Sequence, residues 1–400
     1  MKFQKKVLDN GLTVLFEKRD VPVTTVMWAV KFGAAFEGEN EKGIAHFIEH
    51  MCFKGTEKRT VSEIAGSIEG VGGELNAFTH EEITAYHAKV PSDKAAMAIE
   101  VLADVFFNPT FPETEVAKEA QVICEEIKMY HDNPRLFVMD KMKEKLYGRP
   151  FGMSIAGTEE IVKGLSREDL LSKHRAIYCP ENSILCVVGN NDFDEVLELA
   201  EKFSVKRELK GELFVSLEKR KASREDIRRA GISQANLVMG FSLDKLRYSN
   251  RHSLELFSTI LGEGMSSKLF KEVREKRGLV YGVKSEIDIG KNYAYFVIWA
   301  GTDSAKVEEV YEICESEFLK MSDLKESELE EAKTKLLGSR AVSSEDSNHV
   351  AVDLVFEEMA GDAFSYYDYE NKLKGVGLSD IRQIVEEAKF SKLCLVPSEA

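Results

Sequence analysis

A chain of 400 residues with 44% hydrophobic residues is long enough for two or three globular domains, and this composition excludes an intrinsically disordered protein. The formal net charge of −15 argues against nucleic acid as a partner, because phosphate binding needs net or clustered positive charge. The apolar runs are much shorter than the roughly 20 residues that cross a bilayer, so no membrane-spanning segment is expected.

The beginning of the chain and its cysteines both favour a cytoplasmic protein. The first residues, MKFQKKVLDNGL, are basic but lack the apolar stretch and the small-residue cleavage site of a signal peptide. The six cysteines are scattered without CxxC spacing. We therefore expect buried free thiols in a reducing compartment, and we do not expect cysteine to ligate a metal.

The first half of the chain predicts a sheet with helices inserted into it. Alternating apolar residues from Val7 to Val30, with an Asn-Gly turn between them, predict three strands. A helix is expected to begin at Gly43, and the stretch ELNAFTHEEITAYHAKV predicts a strand, a turn and a returning strand. Further helices are predicted over residues 61–70, 94–107 and 112–130, and a buried strand over residues 183–189.

The second half repeats this order of elements. The segments SEIAGSIEGVGGELNAFTHEEITAYHAKV and KLFKEVREKRGLVYGVKSEIDIGKNYAYFVIWA both read as helix, glycine, strand, turn and strand. We therefore predict an α+β protein of two homologous domains, each a mixed or antiparallel sheet covered by helices. The predicted bounds are 1–210 for the first domain, 211–230 for a charged linker and 231–400 for the second domain.

The stretch HFIEH in the first half carries a metal motif. On a helix, His46 and His50 project within about 40° of each other, so both imidazoles can bind one zinc ion. Glu49 lies beside them and can take a proton from a water molecule that the zinc activates. The order HxxEH is the inverzincin motif, although an exposed helical face or a hydrogen-bonded pair of histidines would also place these residues together.

A catalytic zinc needs a third protein ligand and an open position. The helix ETEVAKEAQVICEEIKMYHD offers Glu119 and Glu126, which stand seven residues apart at the edge of its apolar stripe. Either carboxylate can turn towards an interior metal, whereas Glu125 should face solvent. The alternative is a charged helix edge that is paired with neighbouring lysines.

Together, HFIEHMCFKGT, GGELNAFTHEEITAYHAKV and EAQVICEEIKMYHDNP resemble the pitrilysin-type zinc metallopeptidases. The resemblance is closest to the short-chain members related to the mitochondrial processing peptidase β subunit. It implies that Glu126 is the third zinc ligand and that Glu119 supports the site. It also implies that Asn76 and Ala77 bind substrate as an added strand on a sheet edge.

In the second half, FKEVREKRGLVYGV resembles the family segment that sends an arginine and a tyrosine to the active site. The resemblance implies that Arg274 holds a substrate carbonyl and that Tyr281 donates to the developing oxyanion. From the residues alone, Arg274 would be an ordinary helix residue and Tyr281 a strand aromatic. Asn76 would likewise cap a turn or bulge of an internal strand.

The function expected from these features is a zinc endopeptidase with one zinc ion per chain, acting on unfolded peptides or short polypeptides. Because longer family members enclose substrate between two such halves, one chain is expected to form half of a clamshell and to assemble as a homodimer with a closed chamber, with a mixed-chain dimer as the alternative. Two other functions are considered: a non-catalytic or partner subunit of a heterodimeric processing peptidase, and a protein with a purely structural zinc. The absence of suitably paired cysteines disfavours the structural zinc.

Overall fold

The computed structural model describes residues 2–243 and 248–398, and the chain divides into two compact units. Each unit is assembled from three separate segments of the chain. The first unit comprises Met1–Ile127, Ser154–Ser216 and Ser343–Tyr366, and the second comprises Lys128–Met153, Leu217–Val342 and Tyr367–Ala400.

The strands of the described residues are β1 (Phe3–Val7), β2 (Thr13–Lys18), β3 (Val23–Val30), β4 (Glu74–Thr79), β5 (Thr84–Pro91), β6 (Ser183–Gly189), β7 (Arg224–Arg229), β8 (Ala235–Ser242), β9 (Val280–Ile289), β10 (Ala294–Thr302) and β11 (Ser391–Pro397). The α-helices are α1 (Ile44–Cys52), α2 (Val61–Glu69), α3 (Ala95–Phe107), α4 (Glu113–Asp132), α5 (Pro134–Leu146), α6 (Glu159–Gly164), α7 (Arg167–Ile177), α8 (Phe193–Phe203), α9 (Arg251–Leu261), α10 (Val307–Leu319), α11 (Glu326–Ser343), α12 (Ser347–Ala360), α13 (Tyr369–Lys374) and α14 (Leu378–Glu387). A π-helix spans Phe270–Glu275.

The sheet of the first unit has the order β1-β2-β6-β3-β5-β4. Only β2 and β6 run parallel in it, and every other neighbouring pair is antiparallel. Strand β6 is buried at all its positions, as its unbroken apolar sequence predicts. Strand β4 forms one edge of the sheet, and this edge is important for the site.

The sheet of the second unit has the order β7-β11-β8-β10-β9. Its pattern is that of the first sheet without β1, because β7 and β11 are parallel and the remaining neighbours are antiparallel. The prediction of an α+β fold with two homologous domains, each with a mixed sheet covered by helices, is therefore confirmed.

One helix of each unit comes from the other half of the sequence. Helix α12 lies in the first unit and packs against β3 and β6, and α5 lies in the second unit and packs against β8 and β11. In β6, Ile184, Cys186 and Val188 share a buried cluster with Leu354 of α12. Each half of the chain thus contributes one helix to the sheet of the other half. A single domain boundary in the sequence cannot describe this exchange.

Part of the segment that was predicted as a linker forms a strand. Residues 224–229, REDIRR, make β7, which pairs with β11 along its whole length although most of its side chains are exposed. Charged side chains are common on exposed edge strands, which are held by main-chain hydrogen bonds. The charged sequence of β7 therefore does not reveal that it pairs with β11. The predicted bounds 1–210, 211–230 and 231–400 stay a prediction, and the compact units cross them.

The six cysteines are all buried and none is disulfide-bonded, as expected from their spacing. Among the described residues, no helix combines the length and the apolar character that a membrane span requires.

The exchanged helix α12 leads to a prediction about stability. Leu354 is fully buried against β6, so Leu354→Ala should lower the free energy of unfolding by about 2–5 kcal/mol. The exposed His349 on the same helix provides a control, and His349→Ala should change it by less than about 0.5 kcal/mol. Urea unfolding of both variants measures the difference, and equal midpoints would contradict the role given to α12.

Candidate active site

Helix α1 carries His46, Glu49 and His50, and its first turn is held by a buried carboxylate. Glu37 accepts hydrogen bonds from the main-chain nitrogens of Gly43, at 3.0 Å, and Ala45, at 2.8 Å. Burial raises the pKa of Glu37, while Lys42, whose Nζ lies 3.5 Å from the carboxylate, opposes this rise. Both side chains are completely buried, so this pair anchors the start of the helix inside the unit.

Gly43 makes the entry into α1 possible. Its φ angle is +97°, and a Cβ atom there would lie 2.6 Å from the carbonyl oxygen of Ala156. Only glycine therefore suits this position. Of these three anchoring residues, Gly43 alone was predicted from the sequence, since Glu37 and Lys42 look like ordinary charged residues of a loop.

The two histidines and Glu126 converge on one point. The Nε2 atoms of His46 and His50 each lie 3.7 Å from Oε2 of Glu126, and the two imidazole centroids are 4.6 Å apart. At 3.7 Å these atoms are too far apart for hydrogen bonds. Ligands at about 2.0–2.1 Å from a tetrahedral zinc ion stand about 3.4 Å apart, so each imidazole nitrogen lies near this spacing from the Glu126 oxygen.

The state of His46 also fits a metal ligand. Burial, with a smaller contribution from His50, lowers the pKa of His46 to about 3, so its imidazole is neutral and has a free lone pair. Its Nδ1 atom is buried and has no hydrogen-bond partner among the described residues. A zinc ion at Nε2, the nitrogen that faces Glu126, would leave Nδ1 as the protonated nitrogen.

Glu119 lies behind His50 and supports it. Its Oε2 atom is 3.1 Å from Nδ1 of His50, and its Oε1 atom is 2.7 Å from Nζ of Lys54. When Nδ1 carries the proton, it donates to Glu119 and the Nε2 lone pair faces Glu126. The structure therefore gives the two glutamates different places, with Glu126 beside both histidines and Glu119 behind one of them. Glu125 is exposed, as predicted.

Glu49 lies on the same helix, and its carboxylate points to the end of β4. Thr79 donates a hydrogen bond from Oγ1 to Oε2 of Glu49 at 2.5 Å. Burial raises the pKa of Glu49, and the hydrogen bond from Thr79 opposes the rise. A carboxyl group tuned in this way beside metal-ligand atoms is suited to proton transfer.

Asn76 and Ala77 lie on β4, which is an edge strand in the described sheet and pairs there with β5 alone. The main-chain nitrogen of Ala77 donates to Oδ1 of Asn76 at 2.8 Å, so this N–H group points away from β5 and towards the open edge. The alternative of an internal strand is thereby excluded for the described residues. An extended peptide could reach this N–H group if the Asn76 side chain moved aside.

Arg274 and Tyr281 belong to the second unit. The π-helix presents Arg274 at the surface, where its guanidinium lies 4.8 Å from the ring centroid of Phe270 and forms no ion pair among the described residues. Tyr281 is 49% exposed, and its hydroxyl is 3.4 Å from Oδ1 of Asn236. Partial burial raises the pKa of Tyr281, so the hydroxyl remains a hydrogen-bond donor. Their roles at the zinc site stay predictions.

Comparisons with known proteins agree with this arrangement. The family model described as insulinase, peptidase family M16, matches residues 13–159, and the model described as peptidase M16 inactive domain matches residues 164–336. An uncharacterised zinc protease of Bacillus subtilis is 35% identical over 345 residues, which is 85% of this chain and 84% of the relative. One from Streptomyces coelicolor is 30% identical over 399 residues, covering 96% of this chain and 86% of the relative.

Solved structures share the fold. A protease from Helicobacter pylori superposes with a TM-score of 0.91 at 23% identity and covers 99% of both chains. A Pseudomonas fluorescens protein described as peptidase M16 inactive domain superposes with a TM-score of 0.90 at 21% identity, over 100% of this chain and 99% of that one.

The two homologous α+β units and the His-His-Glu group define the class of the two-domain zinc proteases. Within that class, the chain belongs to the M16 family of peptidases, as the curated relatives show. This confirms the resemblance that was read from the sequence motifs.

The second unit contains an altered counterpart of α1, which the sequence analysis missed. His46 precedes the first residue of β4 by 28 residues (46 to 74), and His252 precedes that of β9 by the same number (252 to 280). Helix α9 thus aligns HSLEL with HFIEH, so that His252 and Glu255 match His46 and Glu49, while Leu256 stands in place of His50. The similarity of HSLEL to HFIEH could have been found in the sequence repeat. It becomes visible only when the distance from each histidine to the following strand is compared.

The geometry predicts which glutamate binds the metal. After loading and removal of free zinc, the parent protein should retain one zinc ion per chain, and Glu126→Ala should lower the affinity at least about tenfold because it removes a ligand. Its exposed neighbour provides the control, so Glu125→Ala should bind zinc like the parent. Competition with a fluorescent chelator measures these affinities, and equal values for all three proteins would exclude Glu126 as a ligand.

Proposed function

We propose that this protein is a zinc-dependent endopeptidase that hydrolyses unfolded peptides or short polypeptides. The observation that supports this most strongly is the convergence of His46, His50 and Glu126 beside Glu49. Three protein ligands leave a tetrahedral zinc with an open position, which is typical of catalytic sites. A structural zinc would usually be closed by four protein ligands.

The charges of the site also favour a divalent cation. Glu49, Glu119 and Glu126 bring three carboxyl groups together, whereas Lys54 brings one ammonium group close to Glu119. When ionised, these groups carry two more negative than positive charges, which one zinc ion would balance. The same groups without a metal would repel one another in a partly buried setting.

When bound, zinc supplies a Lewis acid that polarises the scissile carbonyl and makes a water molecule acidic enough to react near neutral pH. Glu49 accepts the proton of that water molecule and then donates it to the leaving amine. The Thr79 hydrogen bond engages one lone pair of Oε2 of Glu49, so Oε1 is the freer oxygen for this transfer. The protein thus contributes orientation and proton transfer.

We propose that the substrate binds as an additional strand on β4. The outward main-chain groups of Ala77 would pair with an extended peptide, and the amide of Asn76 would then be free to contact it. Main-chain pairing depends little on the substrate's side chains. Folded proteins have few free extended segments, so unfolded peptides are the substrates that this edge suits best.

Arg274 and Tyr281 are proposed to complete the site by contacting the substrate carbonyl and the oxyanion. Support for this comes from the chemistry of the two side chains. Arg274 is exposed and has no ion-pair partner among the described residues, and Tyr281 retains a donor hydroxyl at a half-exposed position.

The alternative is a non-catalytic or partner subunit of a heterodimeric processing peptidase. One family model and one solved structure carry the description inactive domain, which keeps this alternative open. The complete His-His-Glu group and the orientated Glu49 favour the active enzyme, because a scaffold needs neither. The buried thiols further support a cytoplasmic location.

Replacing the general base tests the proposed activity. Glu49→Gln keeps the shape of the side chain and removes its basic oxygen, so zinc binding should persist while the rate of peptide hydrolysis falls by about 10²–10⁴-fold. A quenched peptide library and zinc stoichiometry measure the two properties. A zinc-loaded parent protein without hydrolysis would favour the non-catalytic subunit, and a fully active variant would exclude Glu49 as the base.

The assembly is proposed to be a homodimer that encloses the substrate, since longer relatives in the resemblance contain two such halves. Sedimentation of the purified chain should therefore give about twice the monomer mass of 45.0 kDa. Activity should fall on dilution below the dissociation constant of the dimer. A fully active monomer would contradict the homodimer, and activity that requires a second, different chain would indicate the mixed assembly.

A further inference from the structure

Thr79 connects the edge strand to the carboxylate of α1. It is the last residue of β4, and the strand ends there in a turn closed by the hydrogen bond from His80 N to the Ile83 carbonyl oxygen at 2.8 Å. Its Oγ1 atom donates to Oε2 of Glu49 at 2.5 Å. Within the described part of the chain, this is the side-chain hydrogen bond that Glu49 makes.

A single donor of this kind determines how a carboxylate is orientated. The terminal torsion of a glutamate side chain is broad, so its carboxylate plane is weakly fixed without a partner. The bond from Thr79 holds Oε2 and leaves Oε1 with no side-chain hydrogen bond among the described residues, so Oε1 is the freer oxygen for accepting a proton. Misplacing a reacting group by about 1 Å can reduce a rate by about 10²-fold.

We propose that Thr79 is a positioning residue that couples binding of a peptide strand to the orientation of Glu49. This inference rests on the proposed peptidase function. Thr79 and Ala77 are two residues apart on β4, so their side chains lie on the same face of the strand, and Ala77 presents its N–H group to the open edge. A peptide paired with that edge would restrain the strand that also holds Glu49.

The coupling makes the main chain of the substrate a determinant of turnover as well as of binding. A peptide that pairs along β4 would stiffen the strand up to Thr79 and so hold Glu49 in its reactive orientation. A peptide N-methylated at the position facing Ala77 would pair poorly and leave the strand less restrained. The expected substrate is therefore a segment with an unmodified, extended main chain where it pairs with β4.

Thr79→Val tests the inference, because valine has nearly the same shape, suits a strand and lacks the donor. We expect kcat to fall by about 10–10²-fold with KM changed less than about twofold. Zinc stoichiometry and the peptide affinity of the metal-free protein, measured by fluorescence anisotropy, should match the parent. Thr79→Ser, which keeps the hydroxyl, should restore most of kcat.

Thr84 offers a matched control. It lies opposite Thr79 in the β4–β5 register, and its Oγ1 atom donates to the carbonyl oxygen of Phe32 at 3.0 Å, away from the carboxylate. Thr84→Val removes a comparable hydroxyl, so it should affect the melting temperature more than kcat. Equal kcat losses in Thr79→Val and Thr84→Val would show a general structural effect and overturn the inference.

A double-mutant cycle with Glu49→Gln separates positioning from other effects. If Thr79 acts through Glu49, adding Thr79→Val to Glu49→Gln should leave the remaining rate unchanged, and additive losses would overturn the inference. An unfolded Thr79→Val would be replaced by Thr79→Ala in the same cycle. A parent protein that binds zinc but cleaves no peptide would refute the proposed function itself, whereas an active parent with an equally active Thr79→Val would refute the coupling alone.

Discussion

The interaction on which the site most depends is the hydrogen bond between Nδ1 of His50 and Oε2 of Glu119. It joins α1 to α4, which are separated by more than 60 residues in the chain, and it selects the imidazole nitrogen that faces Glu126. Without it the ring could turn and present either nitrogen. Lys54 pairs with the other oxygen of Glu119, so this carboxylate is held at both atoms and is less free to compete with Glu126 for a metal.

This bond is useful only because α1 itself is held in place. Glu37 and Lys42 are completely buried at its start, and breaking such a pair by removing one partner leaves a buried charge that costs about 3–5 kcal/mol. The helix packs against β4 and β5, which brings the edge strand beside the carboxylate of Glu49. The edge strand and the Glu49 carboxylate are therefore held against each other.

The sequence predicted the parts of the molecule that depend on local patterns. The HxxEH spacing places three side chains on one helical face, and the position of Glu119 and Glu126 at the edge of an apolar stripe allows either carboxylate to turn towards an interior metal. Periodicity could not assign their different places, since this depends on which carboxylate meets the ring of His50. The family resemblance made that assignment, and the structure places Glu126 beside both histidines.

The features that escaped prediction depend on distant parts of the chain. Local sequence patterns do not show that α5 and α12 each pack against a sheet from the other half of the chain. The sequence of strand β7 resembles a charged linker because the strand pairs through its main chain, and most of its side chains are exposed. The bond from Thr79 to Glu49 joins two ordinary polar residues 30 positions apart, and neither their types nor their spacing marks it.

The second unit shows, in its described residues, the same scaffold without the His-His-Glu group. In α9, Leu256 replaces the second imidazole, and counted from the helix start α11 has Ser339 where α4 has Glu126. The remaining His252 lies 3.3 Å from Glu255, which also accepts a hydrogen bond from Tyr369 at 2.8 Å. His252 and Glu255, which match His46 and Glu49, thus form polar contacts within the second unit. In the first unit the Nε2 atoms of His46 and His50 each lie 3.7 Å from Oε2 of Glu126, beyond hydrogen-bond distance, so this contact adds no such hydrogen bonds to the fold.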